Sequence, residues 1–229
     1  MRGYKCGLLL MALSCWVPAA VAGQAADVVA ASAVKATPSP EEDYQAGLKA
    51  DQIGEIIDAV RLFKRAADAG HATAQAKIGD IFKQGSGYKL AFEYYRKSAA
   101  QGDAHGQLGL GLIYANPGEN QNFEEARKYV ALAADQNYHP AILAMSGAYI
   151  LGGLGLDEAA RNSPEALKWI QRAVDIDSVI AIRAIADAYR TGKYGLVADL
   201  QKAAEWDDKA NELQGITKDE KKKKSTKKR

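Results

Sequence analysis

Three histidines are the residues of this sequence that most resemble a set of metal ligands. His71, His105 and His139 follow one another at intervals of 34 residues. If they lie in the turns of successive helical units, they are separated by at least one helix-packing distance of roughly 8–10 Å, whereas zinc needs its ligand nitrogens about 2.0–2.1 Å away. None belongs to an H-x-x-x-H or H-E-x-x-H pattern. We therefore predict polar residues at helix starts, in turns between units, and no metal or other cofactor.

The sequence also lacks the common patterns of catalytic sites. Carboxylate pairs such as Asp157–Glu158 and Asp207–Asp208 are adjacent on a helix, where neighbouring side chains point in different directions. No G-x-S-x-G motif surrounds a serine. The glycines at 152–155 lack the strand-turn-helix context of a phosphate-binding loop. We predict that the protein is not an enzyme.

The elements that would position these residues recur along the chain. The segment A-V-R-L-F-K-R-A-A-D-A-G, which begins at Ala59, returns from Ala91, Ala126 and Ala166, with a more divergent copy from Ala203. Matching positions fall at intervals of three, four or seven residues, so they lie on one face of a helix. Periods of 32 to 40 residues are typical of repeat arrays in which neighbouring units stack.

A second pattern, the first helix of each unit, precedes the segments just described, which form the second helix. It comprises Ala74, Gly79, Phe82 and Gly85; Gly106, Gly111, Tyr114 and Pro117; Ala141, Ser146, Tyr149 and Gly152; and Ala181, Ala186, Tyr189 and Gly192. One helix pair cannot bury its apolar stripe alone, so its stability must come from stacking on the next pair. We therefore predict an all-α solenoid of about five units over residues 41–216.

Aromatic residues recur in both helices of the unit. The columns are Phe82, Tyr114, Tyr149 and Tyr189 in the first helices, and Tyr94, Tyr129, Trp169 and Trp206, after Leu62, in the second. Recurrence at a fixed repeat position favours packing in the core over a stacking platform for sugars or bases. Tyr88, Tyr138 and Tyr194 lie outside these columns, and they are the candidates for exposed contacts.

Signals for helix ends agree with this division. The sequence S-P-E-E at 39–42 predicts an N-cap serine, a proline in the first turn and a capping glutamate. Asn122 and Ser163 stand where the second helices of units three and four should begin. Gly70 and Gly102 are predicted to end second helices in the left-handed conformation.

Two adjoining segments are similar to a known family. The patterns A-x-A-x-I-G-x-I-F-x-x-G at 74–85 and A-x-E-Y-Y-R-K-S-A-A-x-G-D-A at 91–104 resemble the Sel1-like repeat, and the likeness extends over about residues 43–213. The resemblance implies a right-handed α-solenoid related to tetratricopeptide repeats, which acts as an adaptor for other proteins without catalysis. Exported bacterial members of the family are associated with the envelope, host contact or assembly of complexes. A likeness at the level of the fold does not choose a ligand.

The N-terminus predicts export. Basic residues in the first five positions precede an apolar run at 6–17, and Ala20 and Ala22 fit an A-x-A cleavage site. We predict a signal peptide at 1–22, cleaved after Ala22, then a flexible leader at 23–40, and a periplasmic or secreted mature protein without a transmembrane span. A retained anchor or a lipoprotein fits less well. Both cysteines precede the cleavage site, so the mature protein has no thiol.

The C-terminus is strongly basic. Residues 218–229 contain eight Lys or Arg and two acidic residues, whereas residues 23–217 contain 20 basic and 26 acidic residues, a net charge of −6. We predict that residues 217–229 form a disordered tail, which either only increases solubility or binds anions. Its candidate anion-binding residues are Lys221, Lys222, Lys223, Lys224, Lys227, Lys228 and Arg229.

The predicted function is a non-catalytic scaffold of the cell envelope that binds a protein partner on its concave face, with the basic tail as an auxiliary electrostatic contact. The alternative is a binder of an anionic polymer or membrane surface, in which the tail supplies most of the affinity; nucleic acid is less favoured. Deletion of residues 218–229 should barely affect the first function and abolish the second. Only the second should weaken steeply as salt rises.

Overall fold

Eleven α-helices and no strand make up the part of the chain that the structure describes. The computed structural model describes residues 37–216, so the predicted signal peptide, most of the leader and the basic tail lie outside it. The helices are α1 (Pro40–Gln52), α2 (Ile56–Asp68), α3 (Ala72–Gln84), α4 (Tyr88–Ala100), α5 (Ala104–Ala115), α6 (Phe123–Asp135), α7 (His139–Leu151), α8 (Glu158–Arg161), α9 (Pro164–Val174), α10 (Val179–Thr191) and α11 (Leu200–Leu213). The prediction of an all-α protein is confirmed.

The helices form five pairs that stack into an α-solenoid, as the sequence period predicts. The first helices are α1, α3, α5, α7 and α10, and the second helices are α2, α4, α6, α9 and α11. Each of the first four second helices also packs against the first helix of the next repeat. First helices contact each other directly from α3 to α5 and from α7 to α10, whereas successive second helices touch marginally at most. The first helices therefore line the inner side of the stack.

The predicted helix ends are present at most positions. Ser39 and Glu42 form the capping box of α1, and Asn122 accepts hydrogen bonds from two amides of α6. Ser163 caps α9 by position only, since its hydroxyl donates to a carbonyl of the preceding turn. Gly70 and Gly102 adopt φ values of 94° and 82°. The leader was predicted to extend through residue 40, but α1 begins there, so the leader ends before Ser39.

The buried column of the second helices lies one residue later than predicted. Phe63, Tyr95, Val130 and Ile170 are buried, whereas the predicted column of Leu62, Tyr94, Tyr129, Trp169 and Trp206 is only half-buried. Successive helical residues point about 100° apart. The later residue of each pair consequently faces the first helix of its own repeat, and the earlier one lies at the edge of the core.

Small residues in the first helices permit this packing. A Cβ atom added at Gly47, Gly79 or Gly111 would lie 2.7 Å or 2.8 Å from the side chain of Phe63, Tyr95 or Val130 respectively. The same position holds Ser146 in α7 and Ala186 in α10. No helix among residues 37–216 is long and apolar enough to cross a membrane.

Candidate interaction surfaces

The three histidines do not converge. Only His71 lies outside a helix: it caps α3, its Nδ1 accepts a hydrogen bond from the Ala74 amide, and its Nε2 lies 2.8 Å from a Glu41 oxygen. His105 was predicted to lie in a turn at a helix start; it is at a helix start, but as the second residue of α5 and not in the turn. Its Nε2 lies 2.8 Å from an Asp80 oxygen. His139 is the first residue of α7. Within residues 37–216 no group of three or more His, Cys, Asp or Glu could hold a metal ion.

Asp80 joins two repeats on the inner side of the stack. The Tyr95 hydroxyl donates to its carboxylate at 2.6 Å, and His105 lies on its other oxygen. Burial raises the pKa of Asp80, but the hydrogen bonds from His105 and Tyr95 outweigh burial and hold this pKa below its ordinary value. Burial, followed by the Asp80 carboxylate, raises the pKa of the Tyr95 hydroxyl. Asp80 is therefore ionised, and it holds the second and third repeats together.

Asp103 makes an equivalent junction. It caps α5 by accepting the Gly106 amide at 2.7 Å, and it also accepts the hydroxyls of Ser98 at 2.9 Å and Thr73 at 2.8 Å. Three donors thus satisfy a carboxylate that bridges α3, α4 and α5. Together with the His71 and Asp80 contacts, these bonds form what we call the inner belt, a chain of polar contacts along the first helices.

Two tyrosines extend the inner belt at its ends. The Tyr44 ring stacks on His71 with centroids 4.5 Å apart, and the Tyr138 ring lies 6.2 Å from His105. Burial, then the charges of Asp80 and Asp103, raises the pKa of the Tyr138 hydroxyl. Tyr138 was predicted to be exposed, and it is half-buried. The inner belt thus combines half-buried aromatic rings with hydrogen-bonded carboxylates.

In repeats one to three, the fourth residue of the first helix is polar and buried. Arg65 pairs with Asp43 in repeat one. In repeat two the Gln101 amide donates to Gln75 at 2.8 Å, and in repeat three Gln136 donates to Gln107 at 2.8 Å. Each pair links the first and second helices of its own repeat.

A groove of about 550 Å³, which we call the C-terminal groove, lies between α9 and α11. Its apolar lining consists of Pro164, Leu167, Ile185, Tyr189, Leu196 and Trp206. A middle groove of about 720 Å³ lies between α4 and the connection from α5 to α6. Tyr88, Phe92 and Ile113 line the middle groove. The prediction that Tyr88 is exposed is confirmed, since 52% of its surface is accessible.

The boundary between the third and fourth repeats is filled by the connection after α7. Leu154 in this connection is buried, and its carbonyl accepts a hydrogen bond from Arg127 at 2.7 Å. Gly155 lies so close to the Phe123 ring that an added Cβ would be 2.4 Å from it. The lengthened connection therefore packs against α6 and leaves no open groove at this boundary.

Cations cover the half-buried aromatic column of the second helices. The pairs are Lys97 on Tyr94 at 5.5 Å, Lys128 on Tyr129 at 5.4 Å, Arg172 on Trp169 at 4.7 Å and Lys209 on Trp206 at 5.2 Å from the ring centroid. These rings were predicted to lie in the core. Each packs against it with one face and presents its other face to a charged group at the surface.

Two further predictions concern residues outside the columns and outside the described segment. Tyr194 was predicted to be exposed, but it is buried. Its left-handed φ of 57° belongs to a tight turn that folds the ring inwards, and no sequence pattern signalled this turn. The seven candidate anion-binding residues of the tail lie beyond residue 216, outside the described residues.

The repeat boundaries now allow comparison with known proteins. The Sel1 repeat pattern matches five consecutive segments, 44–71, 72–103, 104–138, 140–178 and 179–222. The chain belongs to the Sel1 repeat family. Its five repeats coincide with the five helix pairs. Sel1 repeats generally mediate protein–protein interactions, and proteins of this family are typically non-catalytic scaffolds.

Two curated proteins are similar over part of this chain. Chitin synthase regulatory factor 3 of Schizosaccharomyces pombe is 30% identical over 142 residues, which is 58% of this chain and 15% of that protein. An uncharacterized protein of Neisseria meningitidis serogroup B is 36% identical over 109 residues, 47% of this chain and 21% of that protein. The chain therefore spans less than a quarter of the length of either relative.

Solved structures share the fold. A Sel1 repeat protein from Oxalobacter formigenes superposes with a TM-score of 0.61 at 24% identity, over 83% of this chain and 76% of that one. A protective antigen of uropathogenic Escherichia coli superposes with a TM-score of 0.62 at 28% identity, over 76% of this chain and 38% of that one. At these identities the likeness supports the solenoid architecture.

Proposed function

We propose that this chain is a non-catalytic scaffold that binds a protein partner on the surface of its repeats. The observation that carries the proposal is the half-exposed column of Tyr and Trp rings beside two open grooves. A core does not require these rings to reach the surface, and Trp, Tyr and Arg are the residues that most often dominate the energy of a protein interface. The inner belt offers a second surface, on the concave side.

Affinity capture from envelope extracts tests this proposal. The mature chain and a version without residues 218–229 should retain the same bound proteins, since the repeats supply the contacts. Introducing a negative charge in the open grooves, by Phe92→Glu or Leu196→Glu, or in the inner belt, by Tyr44→Glu, should remove bound proteins, whereas Ile57→Glu at an exposed position should not. If the set of bound proteins ignores every repeat variant, the proposal is wrong.

We also propose that the scaffold is exported, because residues 1–22 have the composition of a signal peptide. N-terminal sequencing of the protein from fractionated cells should find Gly23 as the first residue, in the periplasm or the medium. A variant with arginine at positions 20 and 22 should remain uncleaved, since the cleavage enzyme requires small residues there. A cytoplasmic protein that retains Met1 would contradict export.

The alternative function, binding of an anionic polymer or membrane surface, rests on the eight basic residues among the last twelve. Vesicles with and without anionic lipid provide the direct comparison. The intact chain should then bind anionic vesicles with an affinity that falls steeply between low and moderate salt, and deletion of residues 218–229 should abolish binding. Binding that survives this deletion excludes the tail as the main contact.

A further inference from the structure

The middle groove is open because the connection that forms its wall carries no large apolar side chain. This connection, residues 116–122 between α5 and α6, reads N-P-G-E-N-Q-N. The corresponding connections of the next two repeats do carry such side chains, with Leu154 after α7 and Leu196 after α10. Tyr88 and Phe92 of α4 therefore face the groove without an apolar side chain of the connection to cover them.

The groove lies at a repeat position that the chain itself covers one repeat further on. Three residues before the alanine that begins the repeated segment stand Tyr88 in α4 and Phe123 in α6. One residue after that alanine stand Phe92 in α4 and Arg127 in α6. On α6 these positions are covered by the connection after α7, whereas on α4 they line the middle groove. The two sites are equivalent in the stack, and only one of them has an occupant within the chain.

The segment that covers α6 shows which chemistry fits this position. Leu154 is only 7% exposed, and its carbonyl accepts a hydrogen bond from Arg127 at 2.7 Å. A Cβ atom added at Gly155 would lie 2.4 Å from the Phe123 ring, so this close approach requires a glycine. The occupant is thus a buried leucine followed by a glycine that lies on an aromatic ring.

The polar groups of the middle groove suit an uncharged segment. Its lining includes the charged residues Lys89, Glu93 and Glu119. Glu93 already pairs with Arg96 at 2.8 Å, and the other two have opposite signs. The side-chain amides of Asn116 and Asn120 line the groove and form no hydrogen bond within residues 37–216. Because an amide both donates and accepts, these two groups can bind the backbone of an incoming segment.

We propose that the middle groove binds an uncharged segment of a partner protein in which a leucine-sized apolar residue precedes a glycine. The apolar side chain lies against Phe92 and Ile113, and the glycine lies on the Tyr88 ring. This arrangement reproduces the way in which Leu154 and Gly155 lie on α6. Burial of the apolar side chain supplies affinity. The glycine supplies selectivity, because the equivalent contact on α6 leaves no room for a Cβ atom.

The inference rests on the proposed scaffold function and names the chemistry of one of its partners. A random dodecapeptide library displayed on phage tests it, with the full mature chain as bait. The library is first depleted on the variant Tyr88→Glu, so that the remaining peptides require the middle groove. Selected peptides should carry Leu, Ile, Met or Phe directly before a glycine, without an excess of charged residues. Selection of strongly charged peptides, or of peptides without this pair, overturns the inference.

A synthetic peptide of the selected sequence then measures the contact by calorimetry. Its affinity should fall at least tenfold for Tyr88→Glu and for Phe92→Glu. The same loss is expected when alanine replaces the apolar residue of the peptide or valine replaces its glycine. Unchanged affinity in any of these four comparisons contradicts the proposed arrangement.

Matched variants separate the groove from other causes. Leu90→Glu introduces the same charge at a position of α4 that is 50% exposed, and Leu196→Glu introduces it in the C-terminal groove. Both should bind the peptide as the unmodified chain does, and a tenfold loss in either would place the site elsewhere. Thermal melts must show that every variant folds. If Phe92→Glu does not fold, Tyr88→Glu still decides, because Tyr88 is 52% exposed at the first position of α4, where an acidic residue is favourable.

The library and the envelope capture fail separately. If no peptide survives selection while envelope proteins are still captured through the repeats, the groove inference is wrong and the scaffold function stands. If capture is insensitive to every repeat variant, the scaffold function itself is wrong.

Discussion

The first three repeats and the last two solve the same packing problem with different chemistry. The fourth residue of the first helix is Asp43, Gln75 and Gln107 in repeats one to three, and Ile142 and Ile182 in repeats four and five, and all five are buried. The position that supplies the amide partner in repeats two and three holds Ile176 and Leu213 in the last two. Polar residues are thus replaced by apolar residues at both corresponding positions.

This difference shows that the repeat specifies a shape more strongly than a polarity. A part-buried amide pair contributes little net stability, but leaving its buried member, Gln75 or Gln107, without a partner costs the desolvation of that group. A buried isoleucine such as Ile142 or Ile182 gains stability by burial and needs no hydrogen-bond partner. The two solutions are therefore interchangeable only when both partners change together.

The largest effect is expected when a glutamine replaces the buried isoleucine at the fourth position of a first helix in the last two repeats. Ile182→Gln places an amide at a fully buried position of the apolar core, and it also removes apolar packing. We expect a loss of about 2–5 kcal/mol in the free energy of unfolding. Urea unfolding followed by circular dichroism measures it. Ile180→Gln, where the side chain is 59% exposed, should change stability by less than about 0.5 kcal/mol. Equal effects at the two positions would contradict the comparison.

A second effect concerns the glycines that only the first three repeats retain. Gly79→Ala would place a methyl group 2.7 Å from the fully buried Tyr95 ring, so the ring must move. We expect a loss of about 1–3 kcal/mol in thermal unfolding. Gly147 in α7 has no atom within 4 Å of an added Cβ. Gly147→Ala should therefore stabilise the protein by up to about 1 kcal/mol. A stabilising Gly79→Ala would refute the close packing.

A double-mutant cycle tests whether the two solutions interchange. Gln107→Ile removes the acceptor of Gln136, which keeps only its 2.9 Å hydrogen bond to the Gly102 carbonyl. We expect a loss of about 1 kcal/mol. Adding Gln136→Ile reproduces the arrangement of repeat four and should recover that loss, with a coupling energy of at least about 0.5 kcal/mol. Strict additivity of the two changes would show that the residues do not act as a pair.

The smallest effect is a difference in acid sensitivity. The described carboxylates with lowered pKa values are Glu41, Glu42, Asp43, Asp80 and Glu93, all in the first two repeats. A carboxyl group whose folded pKa is lowered contributes stability above its unfolded pKa and loses it as pH falls through the folded value. Below about pH 4, peptides of repeats one and two should exchange amide hydrogens faster than those of repeats four and five. Uniform exchange along the chain would contradict this.

Asp43 offers the sharpest control for that experiment. The hydrogen bond from Arg65 lowers its pKa, and the carboxylate is buried. Asp43→Asn should reduce stability at neutral pH and flatten its decline towards acid. Asp58→Asn, at an exposed ion pair on α2, should leave the decline unchanged.

Most of the fold could be predicted from local patterns, while the surfaces could not. The period of small and aromatic residues identified five helix pairs, and Ser39, Asn122 and Gly70 marked helix ends because caps depend on neighbouring residues. The burial of Tyr95 instead of Tyr94 depends on which helix approaches from which direction. Similarly, no sequence pattern joined Asp80 to His105, because their contact crosses a repeat boundary.

The lining of the grooves, too, could be predicted only in part from local sequence patterns. Tyr88 was a correct choice for exposure, whereas Tyr194 was wrong, since a left-handed turn decides where its ring points. Arg172 and Lys209 reach aromatic rings on their own helices, at spacings of three residues that the sequence contains. The boundaries between repeats two and three and between repeats four and five are open, whereas Leu154 fills the boundary between repeats three and four. This difference follows from the course of the segments that connect the helices.

By itself the amino-acid order determined the helix pairs, their number and the residues that cap them, because these depend on interactions within about four positions and on a period that repeats. Tertiary structure alone decided which aromatic faces meet solvent, which carboxylates bridge repeats and where the grooves open. The physical reason is that each of these depends on the angle and distance between helices, which follow from the packing of all five repeats together.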